Sequence, residues 1–290
     1  MIYEKIKRRL RIKRKPGFKK INNNNNDALF FDISKSQENQ LSDLIKSKRY
    51  WYHYLAFNHN AIMPGSVRVI ERCEQFGIPH DLSGKRFLDL GTQSGGFALE
   101  FERRGAEVTT IDTCDFDLYG FETIRSILDS KIEAHKMSIY DIDKHFDSDY
   151  FDYVLFSGLF YHLRHPLLAI DKIRTIVKDT VFVESYVIDK AYVKNGNRHT
   201  LPRSLLNLDI MQFYRFDELS KDVTNWFAPN TRCLNNILNS SGFSSSFVGF
   251  SGSNTRGLFV AIKQEGSPEY MKILEESNYT AKYGNKHYIY

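Results

Sequence analysis

The sequence contains few cysteines and no long apolar run, and both shortages limit what the protein can be. Cys73, Cys114 and Cys233 are the only cysteines among 290 residues, and no two of them form a CxxC pair. Thiols this far apart predict a reduced cytoplasmic protein with mostly buried cysteines rather than a disulfide framework. No window reaches the roughly 18 consecutive apolar residues of a membrane helix, so we expect no membrane span. Residues 1–20 lack an apolar core, so we also expect no secretory signal.

Positive charge is concentrated at the N-terminus. Residues 1–20 hold ten Lys or Arg and one Glu, a balance of +9, so the net charge of +5 leaves −4 on the other 270 residues. Such an arm can bind nucleic acid, anionic lipid or a protein partner, and it can equally be a solvated terminus. Asn22–Asn26 follows as a low-complexity linker. We therefore assign residues 1–26 to a basic arm with its linker.

The next segment has a helical pattern. Leu41, Leu44 and Ile45 recur at helical spacing, which predicts a helix up to about Lys48 and then an aromatic loop. We assign the chain beyond the linker to a helical cap, an α/β domain and a C-terminal tail, with the bounds 27–84, 85–265 and 266–290.

From Lys85 onward, strand and helix patterns alternate. Strands are predicted at 86–90, 107–111, 132–136, 152–157 and 180–185. Helices are predicted at about 96–104, 118–129, 166–177 and 231–240. The segments "SSSFVGF" and "GLFVAIKQ" then predict a closing β-hairpin. The fold class that follows is α/β and Rossmann-like: a mostly parallel seven-stranded sheet with a C-terminal antiparallel hairpin and helices on both faces.

A long insertion interrupts this alternation at 187–228. It is longer than an ordinary connection between a strand and a helix. Long excursions at strand ends often cover a site, so we expect this one to lie on the substrate side.

The stretch "LDLGTQSGG" has the features of a cofactor loop. Gly91, Gly95 and Gly96 allow close approach of a ligand to the backbone. Asp89 ends the preceding strand, and Asp112 ends the next one, where a carboxylate can accept both hydroxyls of a ribose. A dinucleotide loop needs Gly-x-Gly-x-x-Gly, whereas here the spacing is Gly-x-x-x-Gly-Gly. S-adenosylmethionine, with an ammonium, a sulfonium and a ribose, fits these carboxylates better than a pyrophosphate does.

Four motifs together resemble the class I S-adenosylmethionine-dependent methyltransferases. They are "MPG" at 63–65, "LDLGTQSGGFALEFERRGAEVTTID", "GLFYHLRHPLLAI" at 158–170 and "TNWFAPN" at 224–230. More narrowly, they are similar to the family that makes the 5-oxyacetic acid or 5-methoxy wobble uridine of tRNA. The resemblance implies that Gly91, Asp112 and Asp141 contact the cofactor, with Asp141 near the adenine amino group. The alternative for Asp141 is a helix or turn cap.

Tyr161 and His162 are the candidate catalytic residues. They follow the fourth predicted strand, which in this fold ends beside the transferred methyl group. Methyl transfer needs chiefly alignment, and His162 has the pKa range of a base for a hydroxyl acceptor. The alternative is that His162 packs against the next helix. A metal pair of His162 with His165 lacks a third ligand, so we predict no metal and assign His165, before Pro166, to a helix start.

Three further residues are candidates for acceptor binding. Trp226 offers a flat apolar face and Asn225 an amide, although Trp226 could equally be a core anchor. Glu184, at the end of the fifth predicted strand, could contact the acceptor or only be solvated.

The class of acceptor is inferred from the family motifs that this sequence lacks. The resemblance implies that a carboxylated cofactor needs a Lys-Gly-Pro-Phe run upstream and an Arg near the C-terminus. The upstream stretch "AFNHNAIMPGSVR" lacks that run, and no Arg follows Arg256, which favours simple methyl transfer. We expect a sugar or small-molecule hydroxyl as the acceptor, with tRNA as the alternative. A nicotinamide oxidoreductase and a non-catalytic binding protein are minor alternatives.

Overall fold

The computed structural model describes residues 30–48, 50–252 and 254–266. The predicted arm and linker, and almost all of the predicted tail, lie outside the described residues. The chain divides into two compact units, the first ending at Ser138 and the second beginning at Ile139. No helix in the described segments has the length and apolar character that a membrane crossing requires.

The first unit begins with helix α1, Lys35–Ser47, close to the predicted position. Ser34 starts it through a capping box. The Ser34 hydroxyl accepts a hydrogen bond from the Gln37 amide at 3.3 Å, and the Gln37 side chain accepts one from the Ser34 amide at 2.8 Å. Leu41 anchors the helix because its side chain is fully buried.

The prediction of an aromatic loop after α1 is wrong. The residues there form a three-stranded sheet of β1 (His53–Ala56), β2 (Ile62–Pro64) and β3 (Val67–Arg68). Trp51, His53, Leu55 and Phe57 are each at most 5% exposed, whereas the residues between them are partly exposed. This period of two is that of a half-buried strand. The region predicted as a helical cap therefore contains a small sheet beside α1 and α2, Val69–Phe76.

Three parallel strands complete the first unit. They and the helices between them are β4 (Arg86–Leu90), α3 (Gly96–Arg103), β5 (Glu107–Asp112), α4 (Phe121–Ile127) and β6 (Glu133–Lys136). β5 pairs in parallel with both β4 and β6. The carboxyl ends of β4 and β5 therefore lie at the same edge, where parallel sheets bind ligands.

The second unit contributes four strands of the main sheet. Its elements before the insertion are α5 (Ile142–His145), β7 (Phe151–Ser157), α6 (Pro166–Ile176) and β8 (Val177–Tyr186). The insertion and its flank contain β9 (Ala191–Lys194), β10 (Asn197–Thr200), β11 (Met211–Phe213) and β12 (Phe227–Pro229). The last elements are α7 (Thr231–Ser240), β13 (Phe243–Ser251) and β14 (Arg256–Lys263). β7 and β8 are parallel, whereas β14 is antiparallel to both β8 and β13.

The seven-stranded sheet has the order β13-β14-β8-β7-β4-β5-β6. The predicted fold class is therefore confirmed: a Rossmann-like, mostly parallel sheet with a C-terminal antiparallel hairpin. Each predicted strand and helix of this domain begins and ends within three residues of its expected bounds.

The insertion has its own apolar cluster within the second unit. β9 and β10 form a hairpin whose turn residues Asn195 and Gly196 both have positive φ angles, 52° and 72°. β11 pairs with β12. The cluster beneath these strands consists of Tyr161, Tyr186, Ile188, Val193, Tyr214, Leu219 and Ala228. It ties the insertion to β8 and to the turn that carries Tyr161.

Candidate active site

The loop between β4 and α3 requires glycine at two positions. Gly95 has a φ of 77°, and a Cβ there would lie 2.1 Å from Cδ2 of Phe121. A Cβ on Gly96 would lie 2.6 Å from the Cβ of His53. Because both distances are shorter than any real Cβ contact, no side chain fits at either position, and glycine lets the loop backbone pack closely against Phe121 and His53.

Asp112, at the end of β5, bonds directly to this loop. One carboxylate oxygen accepts from the Gln93 amide at 3.2 Å, and the other accepts from the Cys114 amide at 2.9 Å. The Cys114 thiol also hydrogen-bonds to this side chain. A carboxylate has about four acceptor positions, so capacity for a further donor remains. Asp112, the residue predicted to bind the ribose, therefore lies beside the predicted cofactor loop.

Asp89 lies beneath the loop and is buried. The Thr92 hydroxyl donates to its Oδ2 at 2.8 Å. Burial raises the pKa of Asp89 to about 7 against the opposing effect of the Thr92 hydrogen bond, and the nearby charge of Asp112 adds to the rise. A cationic ligand group would favour the ionised form of this carboxyl.

His53, which the sequence analysis did not single out, supports the same loop from β1. Its Nδ1 accepts from the Gly96 amide at 3.3 Å and lies 2.9 Å from the Ser94 hydroxyl. A backbone N–H can only donate, so Nδ1 carries no proton and Nε2 does. Burial, with a smaller contribution from the charge of Arg72, lowers the pKa of His53 to about 3. The alternation around His53 could have revealed a strand, but nothing in the sequence joins it to Gly96.

In the second unit, Tyr161 and His162 lie on a 3₁₀ turn, Phe160–His162, that follows β7. Their rings are 4.3 Å apart between centroids. The Tyr161 carbonyl accepts from the Trp226 amide at 2.7 Å, and its buried hydroxyl accepts from the Arg256 guanidinium. Burial raises the pKa of Tyr161, so its phenol stays protonated.

Glu184 on β8 belongs to the same polar group. It is 2% exposed and accepts from the Ser157 hydroxyl at 2.8 Å, while Nε of Arg256 lies 3.8 Å from its other oxygen. Arg256 therefore contacts both Tyr161 and Glu184. Sequence reasoning missed this role because Arg256 is 72 residues from Glu184 and is brought near only by the pairing of β14 with β8.

Asn225 and Trp226 also lie in this part of the second unit. Asn225 is 4% exposed; its amide donates to the Leu219 carbonyl at 2.8 Å, but its Oδ1 is buried without a hydrogen-bond partner. The guanidinium of Arg164 lies 4.5 Å above the Trp226 ring, and Phe213 stacks at 6.5 Å. An orphaned buried acceptor is costly unless a ligand or water supplies the donor.

Asp141 lies in the second unit, at the end of the 3₁₀ turn Ile139–Asp141 before α5, and its side chain is 43% exposed. Its side chain makes no cap hydrogen bond and instead pairs with Nζ of Lys144 at 2.6 Å. That hydrogen bond lowers the pKa of Asp141. His165 occupies the N-cap position of α6, without a side-chain hydrogen bond to the helix, and Pro166 begins the helix as predicted. Among the described residues, no three His, Cys, Asp or Glu side chains are grouped to hold a metal.

The fold resembles several solved methyltransferase structures. The N-terminal domain of EvdMO1, in the presence of S-adenosylhomocysteine and D-fucose, has a TM-score of 0.54 at 15% identity and covers 80% of this chain and 98% of its own. An S-adenosylmethionine-dependent methyltransferase from Mesorhizobium loti has a TM-score of 0.51 at 16% identity, covering 67% and 96%. A similar protein from Listeria monocytogenes, described as putative, has a TM-score of 0.50 at 19% identity, covering 68% and 96%.

A family model agrees with these structural likenesses. No curated protein matches the sequence. The model of the methyltransferase domain, in contrast, matches residues 49–243, which is more than half of the chain. This confirms the predicted enzyme class. The chain belongs to the methyltransferase-domain family.

Proposed function

We propose that the protein transfers a methyl group from S-adenosylmethionine to a hydroxyl oxygen of a sugar or another small molecule. The observation that carries the proposal is the pair of carboxylates around the glycine loop. Asp112 keeps acceptor capacity for ribose hydroxyls, and the buried Asp89 favours a cationic neighbour. A pyrophosphate would bring negative charge towards Asp89 and lose that match.

The residues predicted to bind the cofactor carry groups that suit it. Asp112 would hold the ribose, the loop backbone at Gly91, Gly95 and Gly96 would approach the amino-acid part, and Asp89 would face its positive groups. Asp141 would receive the adenine amino group, as the resemblance implies. Its pair with Lys144 is exposed, so exchanging that partner costs little.

The second unit supplies groups for an acceptor hydroxyl. When bound, S-adenosylmethionine provides a methyl carbon on a sulfonium leaving group, so the methyl carbon bonds to the acceptor oxygen as its bond to sulfur breaks. His162 accepts the proton that the hydroxyl loses. Burial lowers the pKa of His162, so the ring is neutral and ready to act as a base near neutral pH.

Two other side chains orient the acceptor in this proposal. The unpartnered Oδ1 of Asn225 accepts a hydrogen bond from a second acceptor hydroxyl. Trp226 provides an apolar surface against which a sugar ring can pack. Since EvdMO1 was solved with D-fucose present, deoxysugars and their derivatives are the first acceptors to test.

Transfer of labelled methyl tests this function. The enzyme is incubated with methyl-labelled S-adenosylmethionine and a small-molecule cell extract, with Asp112→Ala as the matched inactive variant. We expect Asp112-dependent label in the small-molecule fraction that survives mild alkali, because an ether is stable whereas a methyl ester is hydrolysed. Label that alkali releases, or label that the Asp112→Ala enzyme incorporates equally, would contradict the proposal.

A second candidate is a tRNA wobble-uridine methyl or carboxymethyl transferase. The observation that favours it is the basic balance of residues 1–20. Arginines and lysines give nucleic-acid affinity that falls steeply with salt. Label recovered in bulk tRNA, and lost after ribonuclease treatment, would select this candidate over the first.

A further inference from the structure

A short polar turn lies beside His162 within the second unit. The Thr224 amide and the Thr224 hydroxyl both donate to the same oxygen of Asp222, at 2.9 Å and 2.6 Å. Burial acts to raise the pKa of Asp222, but the two hydrogen bonds from Thr224 outweigh it, and the pKa is lowered. Asp222 is therefore an ionised carboxylate and can only accept hydrogen bonds.

The hydroxyl of Thr224 connects this carboxylate to the histidine. Its oxygen lies 2.8 Å from Nδ1 of His162. A hydroxyl has one proton, and that proton is donated to Asp222, so the oxygen must accept from Nδ1. His162 then carries its proton on Nδ1, and the lone pair is on Nε2.

We propose that Thr224 and Asp222 are positioning residues that fix His162 in the Nδ1–H tautomer, so that Nε2 is free to take the acceptor proton. This inference rests on the proposed function, in which His162 is the base. The arrangement follows the logic of a carboxylate that orients a catalytic histidine, with a threonine hydroxyl between the two.

The charged and polar groups around His162 fit this role. Burial lowers the pKa of His162, and Arg256 acts in the same direction, whereas Asp222 and a backbone hydrogen bond with Thr224 favour the imidazolium that forms when the ring accepts a proton. The Tyr161 ring contacts the imidazole and limits its rotation. His162 is therefore neutral before the reaction. When it takes up the proton, the negative charge of Asp222, linked to it through the Thr224 hydroxyl, stabilises the imidazolium.

Nitrogen NMR of the histidine rings tests the tautomer without any acceptor. The full-length protein is labelled with ¹⁵N, and the His162 signals are identified by their loss in His162→Gln. At a pH where the ring is neutral, we expect the Nδ1–H pattern in the wild type and in Thr224→Ser. Thr224→Val and Asp222→Asn shift the population towards Nε2–H, the form that a free imidazole prefers. Thr231→Val is the matched control, because its hydroxyl donates to Asp189 at 2.6 Å in the same unit without contacting His162.

Kinetics provides the second readout once an acceptor is known. Thr224→Val lowers kcat by roughly 10²-fold, within the range of general-base catalysis, while cofactor affinity is unchanged, and Thr224→Ser recovers most of the activity. A wild-type Nε2–H pattern, or an Nδ1–H pattern that persists in Thr224→Val, would overturn the inference. Since the NMR result needs no methyl transfer, failure of the proposed function and failure of the tautomer assignment are distinguishable.

Discussion

Two buried side chains of the first unit have opposite pKa shifts for the same reason. Burial raises the pKa of Asp89 to about 7 and lowers that of His53 to about 3, and in each residue the neutral form is favoured. The neutral His53 holds the Gly96 amide of the glycine loop. Asp89, in contrast, is poised to ionise when a positive group binds. The lowered pKa of His53 keeps its ring neutral, so that it can accept the hydrogen bond from the loop. The raised pKa of Asp89 favours the binding of a cationic ligand group.

The first prediction concerns proton release at Asp89. Below pH 7 its carboxyl is largely protonated in the free protein, and a bound cation favours the carboxylate. S-adenosylmethionine binding should therefore release a proton, and affinity should rise as pH increases through about 7. Calorimetry in two buffers of different ionisation enthalpy measures the proton count. Asp89→Asn should abolish the release, and an unchanged release in that variant would contradict the assignment.

The second prediction concerns Asp112. Removing the carboxylate in Asp112→Ala should weaken cofactor binding by at least about 100-fold, since hydrogen bonds to charged groups are worth about 1.5–3 kcal/mol each. Titration of the folded variant measures the effect, with exposed Asp43 on α1, as Asp43→Ala, for comparison. A folded Asp112→Ala protein with wild-type affinity would show that the ribose binds elsewhere.

At the scale of elements, the sequence was a good guide to the regular α/β part. Apolar runs near Asp89 and Asp112 predicted both β4 and β5, because parallel strands that are covered on both faces consist largely of apolar residues. β1–β3 were missed because two of these strands have three residues or fewer and their aromatic residues resembled a loop. His53, which joins β1 to the glycine loop, was missed with them. The interaction of His53 with Gly96 follows from packing, which no local pattern encodes.

The third prediction is a pH-dependent contribution of His53 to folding stability. The unfolded chain protonates His53 near pH 6.5, whereas the folded protein does so near pH 3, so falling pH favours unfolding between these values. Asp89 acts in the opposite direction, since its folded pKa lies above its ordinary value.

The two effects are separated by comparison with His53→Asn, whose amide oxygen can still accept from Gly96. From about pH 6 to about pH 5, the wild type should lose about 1 kcal/mol of unfolding free energy relative to the variant. Denaturant unfolding of both proteins at the two pH values measures this change. If the wild type and the variant lost the same unfolding free energy, His53 would be protonated as readily in the folded protein as in the unfolded chain.

For the whole molecule, the candidate acceptor groups could be predicted only in part. Tyr161, His162, Glu184, Asn225 and Trp226 were singled out from their positions at strand ends and in the insertion. Their connection was not predictable, because it depends on Arg256 and on the turn at Asp222, far from most of them in sequence. The roles of all these residues, the cytoplasmic location and the basic arm remain predictions.

The fourth prediction concerns the basic arm and its linker, residues 1–26. Deleting residues 1–26 should leave S-adenosylmethionine affinity unchanged, because the proposed cofactor ligands all lie beyond them. If the arm binds tRNA, the deletion should also reduce the slope of log affinity against log salt by roughly 0.7–0.9 for each phosphate that the arm neutralises. Binding assays at two salt concentrations measure both effects. A collapse of cofactor affinity in the folded deletion variant would make the arm part of the cofactor site.

The most direct test of the central claim is calorimetric titration of the wild-type protein with S-adenosylmethionine, S-adenosylhomocysteine and NAD. We predict saturable one-to-one binding of the first two ligands and no binding of NAD, since the glycine loop with its two carboxylates suits a cationic nucleoside rather than a pyrophosphate. Binding of NAD alone, or no binding of either sulfur compound by the folded protein, would contradict the assignment of the glycine loop.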